Sequence, residues 1–214
     1  MKYRCVVFDL DGTLIDSRVD LANAVNAMRR HYSLVELPVQ TIVSFIGDGA
    51  RKLVERSLLH DNAPVDKTEA TAVTLDFYQK NICVNTHFYP RVIETVKALR
   101  AQGLKTVVFT NKPQASTNLI AETLGFSELF DLVMGPEEAG GLKPNPAGLE
   151  RCLRDFSLKT EEILMVGDHH TDLHAAGALE IDSCFVTYGY GRIDDAKSTY
   201  IIDDMFDLLA KMSL

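Results

Sequence analysis

The sequence has few cysteines, no long apolar run and no concentration of positive charge, and each shortage removes a class of protein. Its four cysteines, Cys5, Cys83, Cys152 and Cys184, lack the spacing of a metal site or a disulfide framework and read as reduced, structural thiols. No run approaches the length of a membrane span. The apolar stretch before Asp9 is too short for a signal peptide, despite Lys2 and Arg4. Lys and Arg number 22 against 30 Asp and Glu, so the net charge is −8 and the pI is near 5.2. No basic stripe offsets that charge, which argues against nucleic acid or a membrane surface as partner. Internal repeats and low-complexity tracts are also missing. Hydrophobic residues fill 46% of the 214 positions, enough for a substantial core. The expectation is a soluble, cytoplasmic protein, either one large domain or one domain with an insert.

What is present begins at Cys5-Val6-Val7-Phe8, a β-rich apolar run that stops at Asp9-Leu10-Asp11-Gly12-Thr13. Side chains alternate along a strand, so Asp9 and Asp11 can share a direction while Leu10 enters the core. An acid pair at the carboxyl end of a strand lies where open α/β sheets bind ligands. It can hold a hard cation, and one carboxylate could attack an electrophilic phosphorus. An ordinary Asp-Gly turn explains the same residues equally well when they are taken alone. A calcium loop fails, because Leu14 stands where its glycine belongs and Asp20 where its glutamate belongs. A phosphate-cradling glycine loop fails for want of glycines.

Downstream, Ser17 and Asp20 read as a capping box opening a helix with Leu21, Val25 and Met28 on one face. Further helices are expected from Pro38 to Phe45, from Ala50 to His60, and from Pro64 to about Ile82. From Tyr89 the pattern becomes alternating. Strands are expected at 104–110, 131–134, 162–166, 183–188 and 199–202, separated by helices that include 172–179 and 203–212. That alternation predicts an α/β fold with a doubly wound parallel sheet. The core is residues 1–16 plus 86–214, interrupted by a helical cap domain, 17–85, that sits above the acid pair as a lid.

Three more strand ends carry polar groups. Thr110-Asn111-Lys112-Pro113 offers a hydroxyl and an amide to phosphate oxygens, or simply caps the following helix. Lys143, held extended by Pro144, could neutralise phosphate charge, or be a solvated loop lysine. Asp168 could complete an oxygen site for Mg2+, and Asp172 suits the start of the next helix. His169 and His170 invite a zinc or iron reading, but adjacent residues rarely ligate one ion and the surrounding oxygen ligands favour magnesium.

Taken in order, Asp9-Leu10-Asp11-Gly12-Thr13, Thr110-Asn111-Lys112, Lys143-Pro144 and Gly167-Asp168 with Asp172 resemble the four motifs of the haloacid dehalogenase-like superfamily. The stretches from Ile46 to Arg56 and from Val186 to Gly191 are most similar to those of its phosphoglycolate phosphatases. The resemblance implies that Asp9 is the nucleophile, forming an aspartyl-phosphate, and that Asp11 is the acid and then the base. It implies Mg2+ on the Asp9 carboxylate, the Asp11 backbone carbonyl and the Asp168 carboxylate, with Asp172 just outside them. Thr110, the Asn111 amide and Lys143 would share the charge of the transferring phosphoryl group. Arg91 departs from the family pattern, standing where glycine is common, as do the residues after Pro144 and the two histidines.

Arg51, beside the Gly47-Asp48-Gly49 turn, is the candidate to meet a substrate carboxylate in the cap; an exposed arginine after an interhelical turn is the plainer reading. The implied activity is a Mg2+-dependent phosphatase for a small phosphorylated metabolite, 2-phosphoglycolate first. A nucleotidase, a sugar-phosphate phosphatase, a pyrophosphatase, a phosphomutase and a phosphate-binding regulatory protein are the alternatives.

Overall fold

The structure, a computed structural model, describes residues 2–212. In chain order its strands are β1 (Cys5–Phe8), β2 (Ile15–Asp16), β3 (His87–Phe88), β4 (Lys105–Phe109), β5 (Leu132–Met134), β6 (Ile163–Gly167), β7 (Asp182–Val186) and β8 (Tyr200–Ile202). Six of them form one parallel sheet in the order β5-β4-β1-β6-β7-β8. β1 is therefore central, and strand order departs from it in both directions. That is the switch point at which a crevice opens beyond the strand ends.

Burial on both faces explains why β1 reads as an unbroken apolar run. Val6 and Phe8 pack into one core with Leu99, Ile120 and Leu208. Cys5 and Val7 enter the other with Leu149, Cys152 and Ala175. The covering helices come from α5 (Val92–Ala101), α6 (Gln114–Thr123), α8 (Ala147–Asp155), α9 (His170–Gly177) and α10 (Asp207–Lys211), with the short α7 (Pro136–Ala139) between β5 and α8. The first four helices, α1 (Arg18–His31), α2 (Val39–Val43), α3 (Ala50–Leu59) and α4 (Lys67–Lys80), all lie between β2 and β3. They have a core of their own, built on Val25, Met28, Ile42, Val54 and Ala70. Inside this bundle the fully buried Arg29 donates to the carbonyls of Val35 and Ser57, at 2.6 Å each, and pairs with Asp61. No helix among the described residues is long and apolar enough to cross a membrane.

The chain enters and leaves this bundle side by side. β2 and β3 form an antiparallel ribbon with Ile15 opposite Phe88 and Asp16 opposite His87. Here the capping-box expectation is corrected. Ser17 makes no side-chain cap and donates instead to Asp11. Asp20 reaches the returning strand, accepting from the backbone N–H groups of Asn85 and Thr86 at 2.9 and 2.8 Å and from their side chains at 2.7 Å each. Although burial opposes its charge, these donors hold the Asp20 carboxyl below the usual carboxylate range. Residues spaced as a cap thus became the clamp of the junction, because four donors from Asn85 and Thr86, just before β3, outcompete one helix terminus.

Other boundaries moved for local reasons. Asp66 accepts from the N–H groups of Thr68 and Glu69, so α4 starts there and not at Pro64. α9 starts two residues before the expected position, because Asp172 accepts from the His169 N–H at 3.0 Å. α10 begins at Asp207, after a turn in which Asp204 accepts from the Phe206 N–H. Arg91 adopts a left-handed φ of 62°, the conformation that glycine tolerates best. That costs about 1 kcal/mol. Its guanidinium lies 3.9 Å from the centre of the Phe206 ring and 3.7 Å from Asp204, contacts of the same order that offset the strain.

Candidate active site

The ends of β1, β4 and β6 meet the loop between α7 and α8 beyond the carboxyl edge of the sheet, and the charged groups gathered there are nearly all buried. Lys143 thus comes from that loop and not from a strand end as expected. The hub is Lys143, whose side chain is 1% exposed. Its ammonium donates to the Phe109 carbonyl at 2.8 Å and to Asp172 Oδ1 at 2.6 Å, and lies 2.7 Å from Asp9 Oδ1. The approach to Asp9 is an ion contact without hydrogen-bond alignment, so Asp9 Oδ1 is buried with no hydrogen-bond partner. Asp168 accepts from the backbone N–H groups of Tyr190 and Gly191 at 3.0 and 2.8 Å. Gly12 turns the chain here with φ 87°, and a Cβ at that position would lie 2.1 Å from Asp168 Oδ2. Only glycine lets the β1 loop pass so close to the acid.

Electrostatics follow from this crowding. Burial raises the Asp9 carboxyl to about 6; Lys143 opposes the shift, and Asp172 and Asp11 add to it. Burial also pushes Asp168 well above the usual carboxylate range, helped by Asp9 and Asp172. Burial disfavours the Lys143 cation, but Asp172 and Asp9 outweigh that and raise it.

Oxygens of Asp9, Asp168 and Asp172 lie within 4.8 Å of one another. Three carboxylates thus gather around one ammonium, which touches Asp9 and Asp172, and a divalent cation would bring the group to neutrality. The unbonded Asp9 oxygen and the all-oxygen donor set suit a hard cation. The structure brings Asp172 into this cluster directly, where it also holds Lys143. The Asp11 carboxylate points elsewhere.

Asp11 accepts from Lys112 Nζ through both oxygens, at 2.9 Å each, and from Ser17. Lys112 was not among the residues given a role from sequence. It is 6% exposed, and its ammonium lies 4.6 Å from the centre of the Tyr78 ring of α4. The signal was available, since Lys112 follows Thr110 by two and the β4 strand end is where polar groups gather. Thr110 Oγ1 accepts from the Lys112 N–H at 3.2 Å. The Asn111 amide nitrogen donates to the carbonyls of Gly47 and Lys143, at 3.0 Å each, and its oxygen accepts from the Lys143 N–H at 2.7 Å. Expected to share phosphoryl charge, the Asn111 side chain is instead committed to fixing the lysine loop and touching the helical insert.

Above these groups is a cleft of about 760 Å³, counting space open to solvent, between the sheet edge and the inserted helices. Asp9, Asp11, Thr110, Asn111, Lys112 and Asp168 line its floor, and its other wall is largely apolar, with Leu21, Ile46, Leu53 and Tyr78. Arg51 is exposed and does not line it, although Ala50 and Leu53 on either side do. One helical turn presents those neighbours inward and Arg51 away.

A family model described as haloacid dehalogenase-like hydrolase matches residues 6–186, a span that includes Asp9, Asp11, Thr110, Lys112, Lys143, Asp168 and Asp172. The chain belongs to that family. Among curated relatives, a phosphoglycolate phosphatase of Colwellia psychrerythraea is 36% identical over 197 residues, covering 89% of this chain and 87% of its own. One from Nitrosospira multiformis is 36% identical over 207 residues, covering 95% and 90%. A crystal structure described as a predicted phosphoglycolate phosphatase from Haemophilus somnus superposes with a TM-score of 0.93 at 30% identity, covering 100% of this chain and 99% of that one. Within the haloacid dehalogenase-like family, then, the fold is shared along the whole chain.

Proposed function

We propose that the chain is a magnesium-dependent phosphatase acting on small phosphomonoesters through a phosphorylated Asp9, with 2-phosphoglycolate as its leading substrate. The observation that carries this reading is the Asp9 carboxylate, buried at the switch point with one oxygen unbonded and an ammonium 2.7 Å away. The names of the relatives support the substrate. The cytoplasm is the proposed location, consistent with four unpaired cysteines, three of them buried.

In the first step an Asp9 oxygen bonds to phosphorus while the ester oxygen leaves and takes a proton from Asp11. In the second, Asp11 removes a proton from water as its oxygen attacks the same phosphorus, the Asp9–phosphorus bond breaks, and inorganic phosphate departs. Asp9, Asp168 and the Asp11 carbonyl would hold Mg2+, which supplies the positive charge that lets an anionic carboxylate approach an anionic phosphate. Lys143 stays beside Asp9 throughout and stabilises the transferring oxygens, with Thr110 at the adjacent strand end. In the resting arrangement Lys112 holds both oxygens of Asp11. A substrate carboxylate that draws the Lys112 ammonium away would free an Asp11 oxygen to face the ester oxygen. Lys112 thereby takes the place assigned to Arg51. The inserted helices over the cleft act as the lid.

Phosphate release from phosphoglycolate, hexose phosphates, nucleoside monophosphates and pyrophosphate tests the reading. The highest kcat/KM is expected for phosphoglycolate, with all turnover lost in excess chelator. Because the cleft wall is apolar, monoesters of larger, less polar alcohols form the second reading. A tenfold preference for them would replace the named substrate. No release from any member would refute the phosphatase.

The raised Asp9 carboxyl gives Mg2+ binding a defined pH dependence. Its folded value of about 6 lies above the ordinary 3.8, so the metal-free folded state holds the extra proton between those values. This group therefore stabilises the metal-free protein as pH falls through 6 and destabilises it as pH rises. The cation must displace that proton. The gain in Tm from saturating Mg2+ is expected to be full near about pH 8 and to shrink steadily below about pH 6. A gain that grows on acidification, measured by thermal unfolding with and without Mg2+, would contradict the assignment of Asp9 as a ligand.

A further inference from the structure

His169 and His170 are not absorbed by the reaction, yet they are not free surface histidines either. His169 sits in extended backbone and His170 is the first residue of α9, and this change of conformation stacks their rings at 4.1 Å, 39° apart, instead of splaying them. Each residue offers a ring nitrogen within 4.8 Å of the other and of a carboxylate oxygen of Asp48. His169 Nδ1 is bonded to Thr171 Oγ1 at 3.1 Å, while its Nε2 faces the insert so closely that a Cβ on Gly47 would lie 2.4 Å away. His169 Nδ1 also lies 3.5 Å from the Thr171 backbone nitrogen, and the tautomer that donates from Nδ1 to the Thr171 hydroxyl is the one that leaves a lone pair on Nε2. His170 Nδ1 is buried with no aligned hydrogen bond, 3.2 Å from Asp194 Oδ2. A carboxylate behind an imidazole is the arrangement that orients a ligating histidine. Arg56 holds Asp48 Oδ2, and Asp48 Oδ1 has no hydrogen bond among the described residues.

We propose that Asp48, His169 and His170 form a second metal site, for a borderline divalent transition ion such as Zn2+ or Co2+, distinct from the all-carboxylate cluster beside it. Two imidazoles and one carboxylate select such ions over Mg2+. Asp48 lies in the turn between α2 and α3 of the insert, whereas the histidines belong to the sheet domain, so the ion ties the two together across the cleft. Ligands around Zn2+ stand at about 2.0–2.2 Å from the metal, which requires the Asp48 turn to draw toward the histidines. Occupancy therefore closes the cleft mouth and slows exchange of substrate and product. The adjacency of the two histidines, which counts against joint ligation in the sequence, is overcome by the stacked rings.

The test is a Co2+ titration of the full chain in saturating Mg2+, followed by visible absorption and by the number of ions bound. One Co2+ with a d–d band is expected, displaced by Zn2+. His170→Asn and Asp48→Asn are each expected to weaken binding at least about tenfold, and His169→Asn with His170→Asn to remove the band. Asp168→Asn, which alters only the neighbouring cluster, is expected to retain it. Circular dichroism checks the fold of each variant, with His170→Gln as the substitute if His170→Asn is unfolded. Absence of a bound Co2+ in the wild-type chain would overturn the site. So would a band that survives the double histidine variant or vanishes with Asp168→Asn.

Discussion

Asn in place of Asp9 is expected to lower kcat at least about 10⁴-fold, a loss of roughly 5.5 kcal/mol in transition-state stabilisation. An amide cannot form the covalent phosphoryl intermediate, and no second carboxylate is positioned to take over. Asp11 is held by Lys112 and Ser17, while Asp172 is turned onto Lys143 and the His169 N–H. The loss is one of chemistry and not of folding. Burial already raises the Asp9 carboxyl to about 6, so a neutral side chain of the same shape relieves a desolvation cost. The metal-free variant should unfold at the wild-type Tm or above it, and inorganic phosphate should bind at least as tightly once one negative charge is gone. Steady-state kinetics, calorimetric phosphate binding and acid quenching for phosphorylated protein separate these effects. Turnover within tenfold of wild type would remove Asp9 from its role.

Legibility tracked how local each interaction is. The α/β fold and its parallel sheet could be read in advance because strand alternation, apolar runs and helical spacing act within a few residues. What could not be read depends on which distant group arrives. Ser17 and Asp20 have the spacing of a cap, but Asn85 and Thr86 return beside them and Asp20 turns to those donors. The Asn111 amide looks free in a linear chain, and it is spent on Gly47 and Lys143 once the insert folds over. Arg51 has the right chemistry on the wrong side of its helix, a difference of one position in a 3.6-residue turn. Lys112 was missed for a related reason. Its place at a polar strand end was legible, but its importance lies in its bond to Asp11, beyond the end of the neighbouring strand, and that partner is 101 residues away in the chain.

Methionine in place of Lys143 tests the same site from the opposite charge. The ammonium makes contacts of 2.6–2.8 Å to Asp172, Asp9 and the Phe109 carbonyl, and almost none of it is exposed. Methionine keeps the length of the side chain and removes the only buried cation among the described residues that touches Asp9 and Asp172. Breaking a buried pair by deleting one partner costs about 3 kcal/mol or more when the other charge has no escape. Here it has one, because Asp9 and Asp168 already favour the proton. The drop in Tm should therefore be larger near about pH 8 than near about pH 6, since protonation substitutes for the missing ammonium at the lower pH. Saturating Mg2+ should recover part of the loss at the higher pH, acting on the same carboxylates. Turnover should nevertheless fall by about 10²–10³-fold even with Mg2+ present, since the transferring oxygens lose a fixed donor. Lys143→Arg should not restore it, because a planar guanidinium does not fit a pocket shaped around a point charge. A Tm loss independent of pH would mean that Lys143 contributes packing alone, and near-normal turnover would remove it from the phosphoryl site.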